Sequence, residues 1–352
     1  MTKSSTVIGI LLASGLLTRG ATAESWTVDD DGPADFNTIQ AAIDAAADGD
    51  QILVHPGRYT GAKTDFEPIA NFRGKSLTLI GIEGHEATII DGEDSRTPIT
   101  LFGADNPDMP SKIDGFTIRN GTGGGITVAG DRVLKVGFCT IEQCREPGIW
   151  SYGRVTLTVS NCTIRENDST YLSGGILTDE GDVLLVDTVF SGNYSDTLGG
   201  ALRLWGAFEG SDRVDIIRCT FDANIASQGA AVSANDIVVH IQDCTFNANF
   251  GGQGTALYML DGEAVIGDTL FCEHQPEDIQ ADWTDLGGNE FIADCGNACV
   301  ADLDGNDIVD GGDLTMLLGS WGPCTGCPGD LTGDDLVDGA DLTMLLGLWG
   351  DC

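Results

Sequence analysis

The sequence predicts an all-β solenoid followed by a small, acidic helical module, and three observations carry that prediction. A short apolar phrase recurs from about Ile113 to Phe271, as in Gly137-Phe-Cys-Thr-Ile141, Ser160-Asn-Cys-Thr-Ile164, Arg218-Cys-Thr-Phe221 and Asp243-Cys-Thr-Phe246. Its anchors Ile118, Ile141, Ile164, Phe190, Phe221, Phe246 and Phe271 are spaced 23, 23, 26, 31, 25 and 25 residues apart. The stretch from Cys299 to Cys352 holds one unit twice, 28 residues apart, with eleven Asp and no Lys, Arg or Glu. A period in the twenties carrying β-branched and aromatic anchors makes one coil of sheet per repeat. A helical solenoid would need 3.6-fold apolar patterning and longer units, and neither is present.

The elements follow in order. Lys3, the apolar run 7–17 and the small-residue site Ala21-Thr-Ala23 read as a secretory signal over residues 1–23, with a mature start at Glu24. The solenoid then occupies 24–297 and the acidic module 298–352. Residues 36–46 place apolar side chains at helical spacing, so a short helix is expected to cap the open end of the coil before the strand Gln51–Val54. Asn167, Asn193, Asn224 and Asn249 each follow an anchor by three residues. Asn tolerates a left-handed bend, and stacked Asn side chains can hydrogen-bond from coil to coil. Glycine phrases such as Gly199-Gly-Ala and Gly229-Ala-Ala mark sharp turns with close backbone approach.

Charge and cysteines bound the partners. The formal charge of −38 moves to −40 once Lys3 and Arg19 leave with the signal, which argues against nucleic acid and anionic membrane surfaces. No later segment is long and apolar enough to span a membrane. Eleven cysteines in an exported chain point to disulfides. Equal spacing suggests Cys299–Cys324 and Cys327–Cys352, and Cys272 with Cys295 can close the preceding domain. Cys324 and Cys327 also form a Cys-x-x-Cys pair, for which a zinc site is the lesser reading. Cys139, Cys162, Cys219 and Cys244 share one register and, with Cys144, read as buried thiols.

Each acidic unit has the spacing of a calcium loop. Asp302, Asp304, Asn306, Ile308, Asp310 and Asp313 fall at loop positions 1, 3, 5, 7, 9 and 12, as do Asp330, Thr332, Asp334, Leu336, Asp338 and Asp341. Hard oxygen donors at these positions suit Ca²⁺, the ion expected here, with position 7 ligating through its carbonyl. Each loop runs into a helix expected to bury Leu314, Leu317 and Leu318, or Leu342, Leu345 and Leu346. These residues resemble the dockerin type I repeat over 301–319 and 329–347. The resemblance implies calcium-dependent folding and a cohesin-like protein partner. Positions 10 and 11, where dockerins carry the Ser or Thr that recognises a cohesin, are Gly311-Gly312 and Gly339-Ala340 here. Asp307 and Asp335 stand at position 6, usually Gly, and Thr332 replaces a stronger ligand.

The Phe-x-x-Asn and Gly-Gly-Ala phrases resemble right-handed parallel β-helix proteins, including polymorphic outer-membrane adhesins, and the opening is similar to that of pectate lyases and pectin methylesterases. The predicted fold is therefore a right-handed parallel β-helix with an N-terminal capping helix, followed by an EF-hand-like, dockerin-like domain. The catalytic motifs of pectin methylesterases and polygalacturonases are missing. A pectate-lyase-like reading leaves Arg119, Arg165, Asp168 and Asp179 as candidates for catalysis. Trp150, Tyr152, Arg203, Trp205 and Tyr258 are candidates for stacking on and hydrogen-bonding to sugar rings. The expected function is an extracellular or cell-surface protein that binds or degrades a polysaccharide, as a lyase or glycoside hydrolase if an enzyme. The alternative is a non-catalytic adhesin or structural surface protein.

Overall fold

The computed structural model describes residues 23–61, 67–103, 109–206, 212–274 and 278–292, and in the C-terminal module 301, 303–304, 308–324, 327–332, 336–347 and 349–351. The signal-like segment falls outside them, apart from Ala23. The body is a parallel β-helix. Sheet 1 has eleven strands, from Ser25–Val28 to Trp283–Asp285; sheet 2 has ten, from Gly57–Tyr59 to Glu290–Ile292; sheet 3 has nine, from Ala70–Asn71 to Ile279–Gln280. One coil visits the sheets in that order, as Arg132–Gly137, Thr140–Glu142 and Ile149–Tyr152 do. A fourth, four-stranded sheet, Asp168–Ser169 to Phe250–Gln253, is inserted between sheets 2 and 3 over four successive coils.

Every predicted anchor is fully buried and in register with the next coil. Neighbouring parallel strands lie about 4.8 Å apart, a spacing at which aromatic rings can stack face to face. Phe190, Phe221, Phe246, Phe271 and Phe291 do so, with successive ring centroids 5.0, 4.7, 5.0 and 4.6 Å apart. The apolar period therefore becomes one continuous column of core.

The asparagines form a second buried column. Asn167 Nδ2 donates to Asn193 Oδ1 (3.0 Å), Asn193 Nδ2 to Asn224 Oδ1 (2.9 Å) and Asn224 Nδ2 to Asn249 Oδ1 (2.9 Å). Each of these Oδ1 atoms also accepts the backbone N–H of the Asn one coil earlier. Cys144 heads the column and His274 stands at its foot, where burial lowers the imidazole's proton affinity. The left-handed bend is not on Asn, however. It falls one residue earlier, on Gln143, Glu166, Gly192, Ala223, Ala248 and Glu273. A second left-handed corner, on Phe138, Asn161, Asp187, Arg218, Asp243 and Asp268, joins sheets 1 and 2. Such φ values cost about 1 kcal/mol per non-glycine residue, and hydrogen-bond ladders on both sides of the corner hold them.

Cys139, Cys144, Cys162, Cys219 and Cys244 are buried free thiols. Cys162 Sγ accepts from Cys139 N (3.5 Å) and Cys244 Sγ from Cys219 N (3.4 Å), so the shared register makes S-lined ladders. Cys272 is disulfide-bonded, while Cys295, its expected partner, lies outside the described residues. Of the pairings expected in the acidic module, Cys299 and Cys352 lie outside the described residues, while Cys324 is bridged to Cys327, whose Cα lies 5.9 Å away, in place of the two expected partners. Equal spacing in sequence carries no information about such a local pairing. The same bridge removes the thiolates that a zinc site would use.

At the N-terminal end the helix Ile39–Ala45, with Thr38 as N-cap, buries Ile39, Ala42 and Ile43 in the main core. In the C-terminal module the helices Gly311–Gly319 and Gly339–Gly347 share a separate core of Ala301, Val309, Leu317, Val337 and Leu345. Leu318 and Leu346 are about half exposed, against expectation. The buried stripe runs through Asp313 and Leu317, and through Asp341 and Leu345, which rotates the next leucine to the outside.

Candidate functional site

The outer surface of sheet 3 carries Phe102, Trp150, Tyr152, Trp205 and Tyr258. Along its strands, residues such as Leu202 and Leu204 point into the core and the alternate residues point away from it, although Thr100, Thr127, Ala129, Leu177 and Ser233 among these are buried as well. Strict parallel register stacks the outward residues into two columns. One runs Thr100, Thr127, Trp150, Leu177, Arg203, Ser233, Tyr258; the other runs Phe102, Ala129, Tyr152, Asp179, Trp205, Asn235. All five residues expected to contact sugar thus lie on one wall. Phe102, Tyr152 and Trp205 are exposed by 43, 38 and 44%, while Trp150, Arg203 and Tyr258 are partly buried.

The rings are arranged in two groups. Tyr152 lies against Trp150 (centroids 5.7 Å) and tilts toward Phe102 (6.5 Å) above the small Ala129. Two coils on, the Arg203 guanidinium sits 5.3 Å from the Trp205 ring centre, a cation–π contact, and Nη1 donates to the Tyr171 carbonyl (3.4 Å). Asp179 occupies the register position between Tyr152 and Trp205. Burial raises its carboxyl above the ordinary range; Arg203 opposes the shift and Glu180 adds to it. Burial also lowers the proton affinity of Arg203. Thr100 Oγ1 and Trp150 Nε1, in one column, are buried without a hydrogen-bond partner. Folded proteins rarely leave buried polar atoms unpaired, and the exceptions concentrate at functional positions.

The four catalytic candidates do not converge. Arg119 and Arg165 lie on sheet 2, Asp168 is exposed on the fourth sheet, and Asp179 is on sheet 3. A few residues of separation at a corner carry the chain onto a different wall. Both arginines are engaged: Arg119 Nε donates to Asp91 (2.7 Å) and Arg165 Nη2 to Glu142 (2.7 Å). An arginine held this way is a poor general base, and the two arginines belong to a ladder of alternating charge. Its register is Asp91, Arg119, Glu142, Arg165, each one residue past an anchor or its equivalent. That alternation of sign was readable in the sequence, and Asp91 and Glu142 were missed for want of counting it. Phe102 was missed likewise, because its coil precedes the clearest repeats.

Asp91 is the most strongly perturbed carboxylate of that ladder. Burial pushes it up, but donors from Asn120, the Glu93 amide, Arg119 and Arg58 prevail and hold it at about 2. A lowered carboxyl stabilises the fold above its unfolded value of 3.8, and that contribution is lost as pH falls toward 2. Asp91→Asn should cost about 3 kcal/mol at neutral pH and flatten the acid limb of the stability curve, as read by urea unfolding from pH 7 to 2.

In the C-terminal module, Asp302, Asn306 and Asp334 lie outside the described residues. Among the others, Asp313 Oδ1 accepts from the amides of Leu303 (2.6 Å) and Asp304 (3.1 Å), and its Oδ2 from Asp310 N (2.8 Å). Asp341 repeats this with Thr332 N and Oγ1 (both 3.0 Å) and Asp338 N (2.7 Å). Asp310 and Asp338 cap the helix starts through Gly312 N and Ala340 N. A methyl added at Gly312 would strike the Asp304 and Asp310 carboxylates, so two acidic side chains converge there. In the second loop the corresponding residues are Ala340 and the shorter Thr332. Ile308, Leu336 and Asp330 complete the described positions. The donor set is all oxygen, which is what a hard divalent cation takes.

A family model described as a right-handed beta helix region matches residues 101–269. No curated protein matches the chain. Among solved structures, the chain is similar to pectate lyase Pel9A at 12% identity, with 82% of this chain and 84% of that one covered and a TM-score of 0.44. It is similar to the catalytic unit of a GH87 alpha-1,3-glucanase from Streptomyces thermodiastaticus at 16% identity, with 73% and 67% covered and a TM-score of 0.36. For pectin methylesterase from carrot the values are 12%, 78% and 84%, and 0.37. The matched region and the coil geometry together make the body a right-handed parallel β-helix.

Proposed function

We propose that this chain binds an extracellular polysaccharide along the outer wall of sheet 3. The observation that carries the reading is the collection of Phe102, Trp150, Tyr152 and Trp205 on one wall beside Asp179 and Arg203. Aromatic faces stack on the apolar faces of sugar rings, and the two charged groups can pair with hydroxyls. Binding without cleavage, as in an adhesin, is preferred to a lyase that would use Arg119 or Arg165 as its base, because both are already paired with carboxylates. Affinity electrophoresis of the full chain through polysaccharide-containing gels tests the reading. Retardation should occur, and the double variant Tyr152→Ala with Trp205→Ala should weaken it at least tenfold, at ~1 kcal/mol per lost stacking contact. A chain that releases reducing ends or unsaturated products would instead be an enzyme.

The acidic module is read as a dockerin-like calcium unit with one ion per loop. The ligands would be Asp302, Asp304, Asn306, Asp310 and Asp313 with the Ile308 carbonyl, and Asp330, Thr332, Asp334, Asp338 and Asp341 with the Leu336 carbonyl. Convergence of Asp304 and Asp310 beside Gly312 supports it. In the same reading the protein is exported, and the helix Ile39–Ala45 covers the open end of the coil.

A further inference from the structure

Asp179 and Arg203 are an unusual pair for a chain so rich in carboxylates. Asp179 is partly buried, yet among the described residues it accepts no hydrogen bond and forms no ion pair. Among the described residues Arg203 donates only to the Tyr171 carbonyl and has no carboxylate within ion-pair distance, whereas Arg58, Arg73, Arg119, Arg145, Arg165, Arg213 and Arg218 each have one. The two sit on adjacent strands in diagonal register, since Asp179 faces Trp205 and Arg203 faces Leu177. An acceptor with open lone pairs and a fork of open N–H donors therefore lie side by side, with Tyr152 on one flank and Trp205 on the other.

We propose that Asp179 and Arg203 determine specificity on this wall and select an uncharged glycan over a polyuronate. A sugar hydroxyl donates to Asp179 while a neighbouring hydroxyl or ring oxygen accepts from Arg203, with the rings stacked on Trp205 and Tyr152. A carboxylate sugar could pair with Arg203, but it would then face Asp179 with Glu180 beside it, on a chain of charge −38. An uncharged chain meets no such repulsion and satisfies both groups, so desolvating them on binding is compensated.

This inference rests on the polysaccharide reading above, and one experiment separates the two. The full chain is run through gels containing hydroxyethyl cellulose, laminarin or galactomannan, and through gels containing polygalacturonate or alginate, in buffer without added calcium. At least one neutral polymer should retard it and neither polyuronate should. Asp179→Asn and Arg203→Gln should each weaken the neutral interaction about tenfold with an unchanged thermal midpoint. Asp179→Asn should also gain retardation by polyuronate through the unopposed Arg203, a change that a merely structural Asp179 would not produce. Retardation of the native chain by polyuronate at least as strong as by any neutral polymer, abolished by Trp205→Ala, overturns the selectivity and leaves the wall intact. Unchanged binding in both charge variants also overturns the selectivity. No retardation by any polymer overturns both proposals together.

Discussion

Replacing Asn224 with alanine should destabilise the β-helix by about 4 kcal/mol, the largest effect expected of any single substitution in the body. Asn224 is fully buried, and its side chain serves three coils. Oδ1 accepts from Asn193 N (3.1 Å) and Asn193 Nδ2 (2.9 Å), while Nδ2 donates to Phe190 O (2.9 Å) and Asn249 Oδ1 (2.9 Å). Truncation leaves donors and acceptors buried without partners, each costing about 1–3 kcal/mol, with partial relief from relaxation. Because each coil contacts mainly its neighbours, the damage should also be local in space. Hydrogen exchange should accelerate first in the coils around Phe190 and Phe246 and least near Val54. Urea unfolding should show a lower midpoint with an unchanged slope; a midpoint within experimental scatter of the native chain would remove the ladder from the account of stability.

Removing calcium should unfold the acidic module while sparing the solenoid. The helices are nine residues each, too short to persist alone, and share only a small core. Around them lie acidic side chains with no Lys or Arg between Cys299 and Cys352 to offset them. At a hundredfold excess over the dissociation constant, each bound ion adds ~2.7 kcal/mol of stability. Calorimetry of the full chain should therefore resolve a module transition that vanishes in chelator, beside a solenoid transition that stays. Asp302→Ala with Asp330→Ala should reproduce the chelator result without it. The second loop, with Thr332 where the first has Asp304, should release its ion first. Titration calorimetry detecting no uptake at millimolar calcium would contradict this.

Much of the fold was legible because a solenoid writes its coil length directly into the sequence. The anchors Ile118 to Phe271, the asparagine column and the shared cysteine register each follow from one side chain stacking on its equivalent. Strand alternation was equally plain, and it put Arg203, Trp205 and Tyr258 on the outside. What escaped was set by geometry that no single residue type encodes. Closing the coil dictates the left-handed corners, so Glu166, Ala223 and Ala248 accept them although none favours that region. The corner between sheets 2 and 3 separated Arg165 from Asp179, which a linear reading had grouped. Cys324 pairs with Cys327, a neighbour that matching loop spacing did not point to, and Leu318 faces water because the buried stripe of its helix is narrow. The fourth sheet, by contrast, had no clear signal, since its strands are short and its outward column, Asp168, Tyr194, Ile225 and Phe250, repeats no single residue type.

On the proposed reading the aromatic wall of sheet 3, rather than any other surface, holds the glycan. This is tested most directly by comparing two double variants on the same polysaccharide gels: Tyr152→Ala with Trp205→Ala on the wall, and Tyr194→Ala with Phe250→Ala on the fourth sheet, whose side chains are also exposed. The wall variant should lose retardation while the fourth-sheet variant migrates like the native chain. Equal retardation of the wall variant and the native chain, with both variants folded by circular dichroism, would contradict it.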